Sequence, residues 1–171
     1  MKLRSLSIWT NLEMRLKDLA YTIASLLSVC KHLRILEVES DDLIACIERK
    51  LKISIPSLDH LHLHISTNYR IPYANDLSML FPNISYLSTG HQVCHLDINL
   101  ANSILHFIKT FPRLRRLRFN DSIYMCPYDM THLSEDYVVQ FLDNSEPIRS
   151  RKSLVRCYDG YYDGNRMVIW F

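Results

Sequence analysis

Leucine alternates with histidine through Ile55 to Ser66, IPSLDHLHLHIS, so an extended chain there puts Leu61 and Leu63 on one face and His60, His62 and His64 on the other. One face is predicted to be core and the other surface. Leu58, Leu61 and Leu63 stand at the first, fourth and sixth positions of a phrase that recurs along the chain. It returns as Leu3-x-x-Leu6-x-Ile8, Leu33-x-x-Leu36-x-Val38, Ile84-x-x-Leu87 and Leu114-x-x-Leu117-x-Phe119. Pro56, Pro82 and Pro112 each lie two residues before the first apolar residue of a phrase, where a helix must stop and an extended segment begin. Val93-x-x-Leu96-x-Ile98 also fits, but it starts only nine residues after Ile84, too soon for a helix between them. It is predicted to be an additional strand joined by a tight connection through Thr89-Gly90.

Between the phrases the apolar period changes to three and four, which predicts helices. Thr10 or Asn11 caps a stripe of Leu12, Leu16, Leu19, Ile23, Leu26 and Leu27; Ser40-Asp41-Asp42 opens a helix with Leu43, Ile44, Ile47 and Leu51. Asn75 or Asp76 starts a short helix through Leu77 and Leu80, Leu100 to Ile108 forms another, and Ser134-Glu135-Asp136 begins one bearing Tyr137, Val138, Phe141 and Leu142. The end differs in kind. Ser153 to Tyr158 and Arg166 to Phe171 are β-prone runs joined by a segment rich in turn residues, which predicts a hairpin that covers the open end of the sheet.

Phrase starts are separated by 30, 25, 26 and 30 residues. Units of one strand and one helix at such a period cannot bury their own apolar faces, so neighbours stack and share a core. The pattern over about residues 1–145 resembles the leucine-rich repeats of the ribonuclease-inhibitor-like class and is similar to the C-terminal repeat region of F-box proteins. The resemblance implies an α/β solenoid of about six strand units, with a parallel concave sheet, outer helices and a β-rich cap over about 146–171. The whole chain, 1–171, is then one repeat domain. Because it opens directly on a strand phrase, it is expected to be a fragment of a longer array.

The same resemblance puts the third, fifth and seventh residues of each phrase on the concave face. Strand by strand these are Ser5/Ser7/Trp9, Ile35/Glu37/Glu39, His60/His62/His64, Tyr86/Ser88/Gly90, His95/Asp97/Asn99 and Arg116/Arg118/Asn120. They grade from acidic to basic across the sheet, a surface suited to orienting a protein or peptide partner. Trp9 and Tyr86 are the expected anchors, because aromatic residues and arginine dominate binding hot spots. The reading is a non-catalytic recognition module without a cofactor, with substrate recruitment for a ubiquitin ligase as the role that F-box similarity implies.

Charge and cysteine content narrow the alternatives. Lys and Arg number 20 against 18 Asp and Glu, a formal charge of +2, which creates no global field to draw nucleic acid or an anionic membrane. Five scattered cysteines without a C-x-x-C pair fit reduced thiols, which places the protein in the cytoplasm or nucleus. No run approaches the roughly 18 apolar residues of a membrane helix. His95 and Asp97 lack any glycine-built oxyanion loop, so no catalytic residue is assigned.

The rival reading is a metal- or nucleic-acid-binding scaffold using His60, His62 and His64 or the arginines from Arg113 to Arg118. Same-face residues lie about 6.6 Å apart along a strand, so at most two of the histidines serve one ion. Its remaining ligands would come from a neighbour such as Glu37 or Glu39.

Overall fold

The computed structural model describes residues 3–9, 19–64, 72–91, 98–121, 135–151, 154–158 and 166–171. Strands β1 (Ser5–Ile8), β2 (Ile35–Glu39), β3 (His60–His64), β4 (Tyr86–His91) and β5 (Arg116–Asp121) alternate with α1 (Leu19–Val29), α2 (Ser40–Glu48), α3 (Ala74–Leu80) and α4 (Ile98–Thr110). Then follow α5 (Glu135–Asp143), α6 (Glu146–Ser150), β6 (Leu154–Tyr158) and β7 (Arg166–Trp170). The protein is α/β, built on one seven-stranded sheet in the order β1-β2-β3-β4-β5-β7-β6. The first five strands are parallel and neighbour each other in sequence order; β7 joins β5 antiparallel and pairs with β6.

Parallel pairing needs a crossover, and each intervening helix supplies one. Leu6, Leu36, Leu61, Leu87, Leu117 and Ile169 fall in one register row, and from Leu36 onward every member is at most 1% exposed. This row shares a core with the buried faces of the helices, among them Ile23 and Leu27 of α1, Leu43 of α2, Leu77 of α3, and Ile104, Phe107 and Ile108 of α4. Helices therefore cover the leucine face. The opposite face of β2 and β3 carries Glu37, Glu39, His60, His62 and His64 beside the exposed Ile35, and is half-buried to exposed.

The backbone repeats a junction at the start of each strand. Arg4 O accepts the N–H groups of Arg34 and Ile35, Arg34 O those of Asp59 and His60, Asp59 O those of Ser85 and Tyr86, and Ser85 O those of Arg115 and Arg116. Ahead of these junctions, Leu58 N bonds Ile55 O and Leu114 N bonds Phe111 O, turns in which Pro56 and Pro112 supply the fixed φ of the second position. The residues just before the phrases extend the pattern with side chains. Ser57 Oγ donates to Lys31 O and Leu33 O, Asn83 Nδ2 donates to Pro56 O, and Arg113 Nη1 donates to Asn83 Oδ1.

Helix α2 ends with Lys50 at φ 54°, while Leu51 N reaches back to Cys46 O, the geometry in which glycine is usual. At the other end of the sheet, Arg151 donates to Ile108 O and Phe111 O, satisfying carbonyls at the C-terminus of α4.

Two expectations are corrected. Ile98 opens α4, and β4 pairs directly with β5, so the strand predicted at Val93–Ile98 does not lie between them; the parallel units among the described residues number five, not about six. The physical reason is an ambiguous period: Leu96, Leu100, Ile104 and Ile108 also recur at four-residue spacing, so the segment suits a helix as well as a strand phrase. The predicted C-terminal hairpin forms, but it extends the sheet past β5 and makes β6 the new edge rather than closing it. Helix α6 was not anticipated, its five residues being too few for a period to register. Among the described residues no helix is long and apolar enough to cross a membrane.

Two substitutions in adjacent rows are expected to move stability in opposite directions. Leu61→Ala should lower the unfolding free energy by about 2–5 kcal/mol, through lost burial and the cavity left behind. Thr89 is fully buried in the next row with no hydrogen-bond partner for its Oγ1, so Thr89→Val should raise it by about 1 kcal/mol. Urea unfolding followed by circular dichroism checks both signs.

Candidate functional site

The face opposite the leucine row is organised by the same register. Ser7, Glu37, His62, Ser88 and Arg118 form one row across β1 to β5; Ile35, His60, Tyr86, Arg116 and Trp170 form the row below, and Glu39, His64, Gly90 and Asn120 the row above. Neighbouring strands are about 4.8 Å apart, so members of a row are next to one another on the sheet.

In the central row Ser7 Oγ donates to Glu37 Oε2 at 2.7 Å, and His62 Nδ1 is hydrogen-bonded to Ser88 Oγ. A diagonal contact joins this row to the next: His64 Nε2 lies 2.9 Å from Glu37 Oε1. The His62 and His64 rings meet edge to face at 4.4 Å between centroids, and Trp9, 62% exposed, leans on His64 at 4.1 Å. Gly90 borders both imidazoles: a Cβ there would stand at ordinary contact distance, 3.6 Å from His64 Nδ1 and 3.7 Å from His62 Nε2.

The lower row is a line of rings. His60 stacks on Tyr86 with centroids 4.3 Å apart and planes within 12°, and its Nδ1 lies 3.3 Å from Asp59 Oδ2. Farther along, the Arg116 guanidinium sits 5.7 Å from the Trp170 ring centroid, a cation–π distance.

Electrostatics follow from these contacts. The Glu37 carboxyl is held below the usual carboxylate range by the Ser7 hydroxyl and then by His64, both of which bond its ionised form. The His62 imidazole is pushed below the ordinary histidine value, chiefly by burial, then by the charges of His64 and Arg118, with Glu37 opposing.

The structure thus brings together Trp9, Glu37, His62 and His64, and separately His60 with Tyr86. Glu39 takes its place beside His64 in the upper row, and Arg116 and Arg118 lie at the β5 side. His95 and Asp97 fall outside the described residues, and Asn99 belongs to α4, so the expected column His95/Asp97/Asn99 does not separate Tyr86/Ser88/Gly90 from Arg116/Arg118. Arg115 is exposed and out of the rows, which splits the arginine run Arg113 to Arg118 between two surfaces. Trp170 was missed. Met167, Val168, Ile169 and Trp170 are all apolar, so no alternation assigns Trp170 to a face, and its neighbour Arg116 follows only once β7 is known to pair with β5.

Because folding depresses the His62 pKa, the unfolded chain binds more protons, so the His62 contribution to stability is intact above its unfolded value near 6.5 and is lost as pH falls through the lower folded value. A histidine NMR titration should show His62 with a midpoint below 6.5, rising toward it in His64→Gln. A midpoint at or above 6.5 in the intact protein would refute the assignment of burial as the leading cause.

Comparison of the chain with protein-family models, curated proteins and solved structures found no match.

Proposed function

We propose that this chain is a leucine-rich repeat solenoid whose sheet face opposite the leucine row recognises a protein or peptide partner without catalysing a reaction. The observation that carries the reading is the register. Five sequential parallel strands stack leucines in one row while holding polar and aromatic side chains in rows on the other face. Recurrent strand junctions and proline turns support a repeated unit, because the same phrase meets the same backbone partners each time.

The face offers graded chemistry to a partner. Glu37 and Glu39 lie toward β2, the histidines on β3, and Arg116 and Arg118 on β5. A segment with basic residues at one end and acidic residues at the other matches this gradient in one orientation only. Trp9, Tyr86 and Trp170 supply ring surface for anchoring, with Trp9 the most open of them. By its similarity to the repeat region of F-box proteins, the finer proposal is recruitment of a substrate to a ubiquitin ligase.

Affinity capture with mass spectrometry tests the face. The intact chain, the Trp9→Ala/Arg116→Glu double variant and a Met79→Ala control on the exposed surface of α3 are compared at equal folding by circular dichroism. A set of proteins kept by the intact chain and the control but lost from the double variant is the expected result. Retention unchanged by the double variant, or equal loss in Met79→Ala, would remove the sheet face as the recognition surface.

A further inference from the structure

Recognition of a partner does not require the tightest polar cluster on the sheet. Glu37, His62 and His64 each bring one ligating atom within 4.8 Å of the others. Their other atoms are held in ways that aim them. Ser7 Oγ occupies Glu37 Oε2, leaving Oε1 toward His64, and Ser88 Oγ occupies His62 Nδ1, leaving Nε2 toward Gly90. His64 stands between, with Nε2 on the Glu37 side and Nδ1 on the Gly90 side.

We infer that Glu37, His62 and His64 form a three-ligand site for a first-row divalent transition cation of the zinc class. Two imidazoles and one carboxylate are a donor set that such ions take, and three protein ligands leave a tetrahedral position for solvent or for a donor from elsewhere. Ligand atoms about 2.1 Å from one ion stand roughly 3.4 Å apart across a tetrahedral edge. The widest separation in the trio must therefore close by about 1.4 Å, a movement within reach of small side-chain rotations. The hydrogen bond between Glu37 and His64 gives way as the ion takes the place of the proton between them: a neutral His64 then carries its proton on the other ring nitrogen, and an imidazolium releases one proton to solvent.

Ser7 and Ser88 act as outer partners, fixing which carboxylate oxygen and which imidazole nitrogen are presented. His60 shares the strand face but lies outside the trio, with its ring on Tyr86 and its Nδ1 facing Asp59. It is the internal control.

Isothermal titration of the whole chain with zinc chloride, after chelator treatment and dialysis, tests the site. One ion per chain is expected in a saturable step. Glu37→Gln, His62→Gln and His64→Gln should each weaken it by about tenfold or more, and Ser88→Ala by about tenfold. His60→Gln should leave it unchanged.

Gly90→Val gives a second route that spares every ligand, since its side chain would fill the space beside His62 Nε2 and His64 Nδ1; it too should weaken binding by about tenfold or more. Circular dichroism of each variant separates lost ligands from lost fold. Absence of a saturable step, equal weakening by His60→Gln and His62→Gln, or undiminished affinity in a folded Gly90→Val would overturn the inference, the second outcome meaning chelation by surface imidazoles in general.

Discussion

Side chains of a strand alternate between its two faces, so the register that aligns Leu36, Leu61, Leu87 and Leu117 also aligns Glu37, His62, Ser88 and Arg118. Both surfaces of the sheet depend on that one constraint. A slip of one residue at β3 would place His60, His62 and His64 in the core and Leu61 and Leu63 on the open face. Burying unpaired imidazoles while exposing two leucines is disfavoured twice, by desolvation and by lost apolar burial. The backbone adds its own lock: Arg4, Arg34, Asp59 and Ser85 each accept two N–H groups from the start of the next strand, which fixes where each strand begins relative to its neighbour. The order of the polar face is therefore maintained by leucines and carbonyls that do not lie on it.

Much of the architecture was legible because its cause is local. Each phrase carries a period of two, each intervening stretch a period near 3.6, and Pro56 and Pro112 mark the turns between them. Strands β2, β3, β4 and β5 accordingly start two residues into their phrases, and the C-terminal hairpin falls where β-prone runs flank turn residues. Local pattern failed where two periods coincide, as at Val93 to Ile98, and where the decisive neighbour is distant in sequence. Nothing in the residues around Trp170 names Arg116 as its partner, because antiparallel insertion of β7 beside β5 is a property of the whole sheet. Lys50 is the opposite failure: a residue with no preference for the left-handed region adopts it where Lys50 N and Leu51 N close the end of α2 on Ile47 O and Cys46 O.

For the candidate site, composition was readable and connectivity was not. Three histidines on one strand face were evident from HLHLH, and an acidic neighbour was expected from β2. That Glu37 rather than Glu39 meets His64 depends on a diagonal contact, which follows from how side chains lean along a strand and not from register alone. The role of Ser7 and Ser88 was equally hidden. Serine is unremarkable in sequence, yet here each hydroxyl ties up one side of a functional group and thereby determines what the other side presents.

The recognition face and the cation cluster occupy the same strands, which couples them. Glu37 and Glu39 give the β2 side its negative character, and a divalent ion on Glu37, His62 and His64 would offset that charge and leave the region neutral to positive. The gradient toward Arg116 and Arg118 would flatten, so a partner selected by opposite charges at its two ends would lose one of its orienting contacts. If instead the partner supplied the fourth ligand, it would bind more tightly with the ion present. Either coupling is reciprocal: an ion that changes affinity for a partner by a given factor has its own affinity changed by the same factor. The sign distinguishes a partner that reads the carboxylates as charge from one that completes a coordination shell.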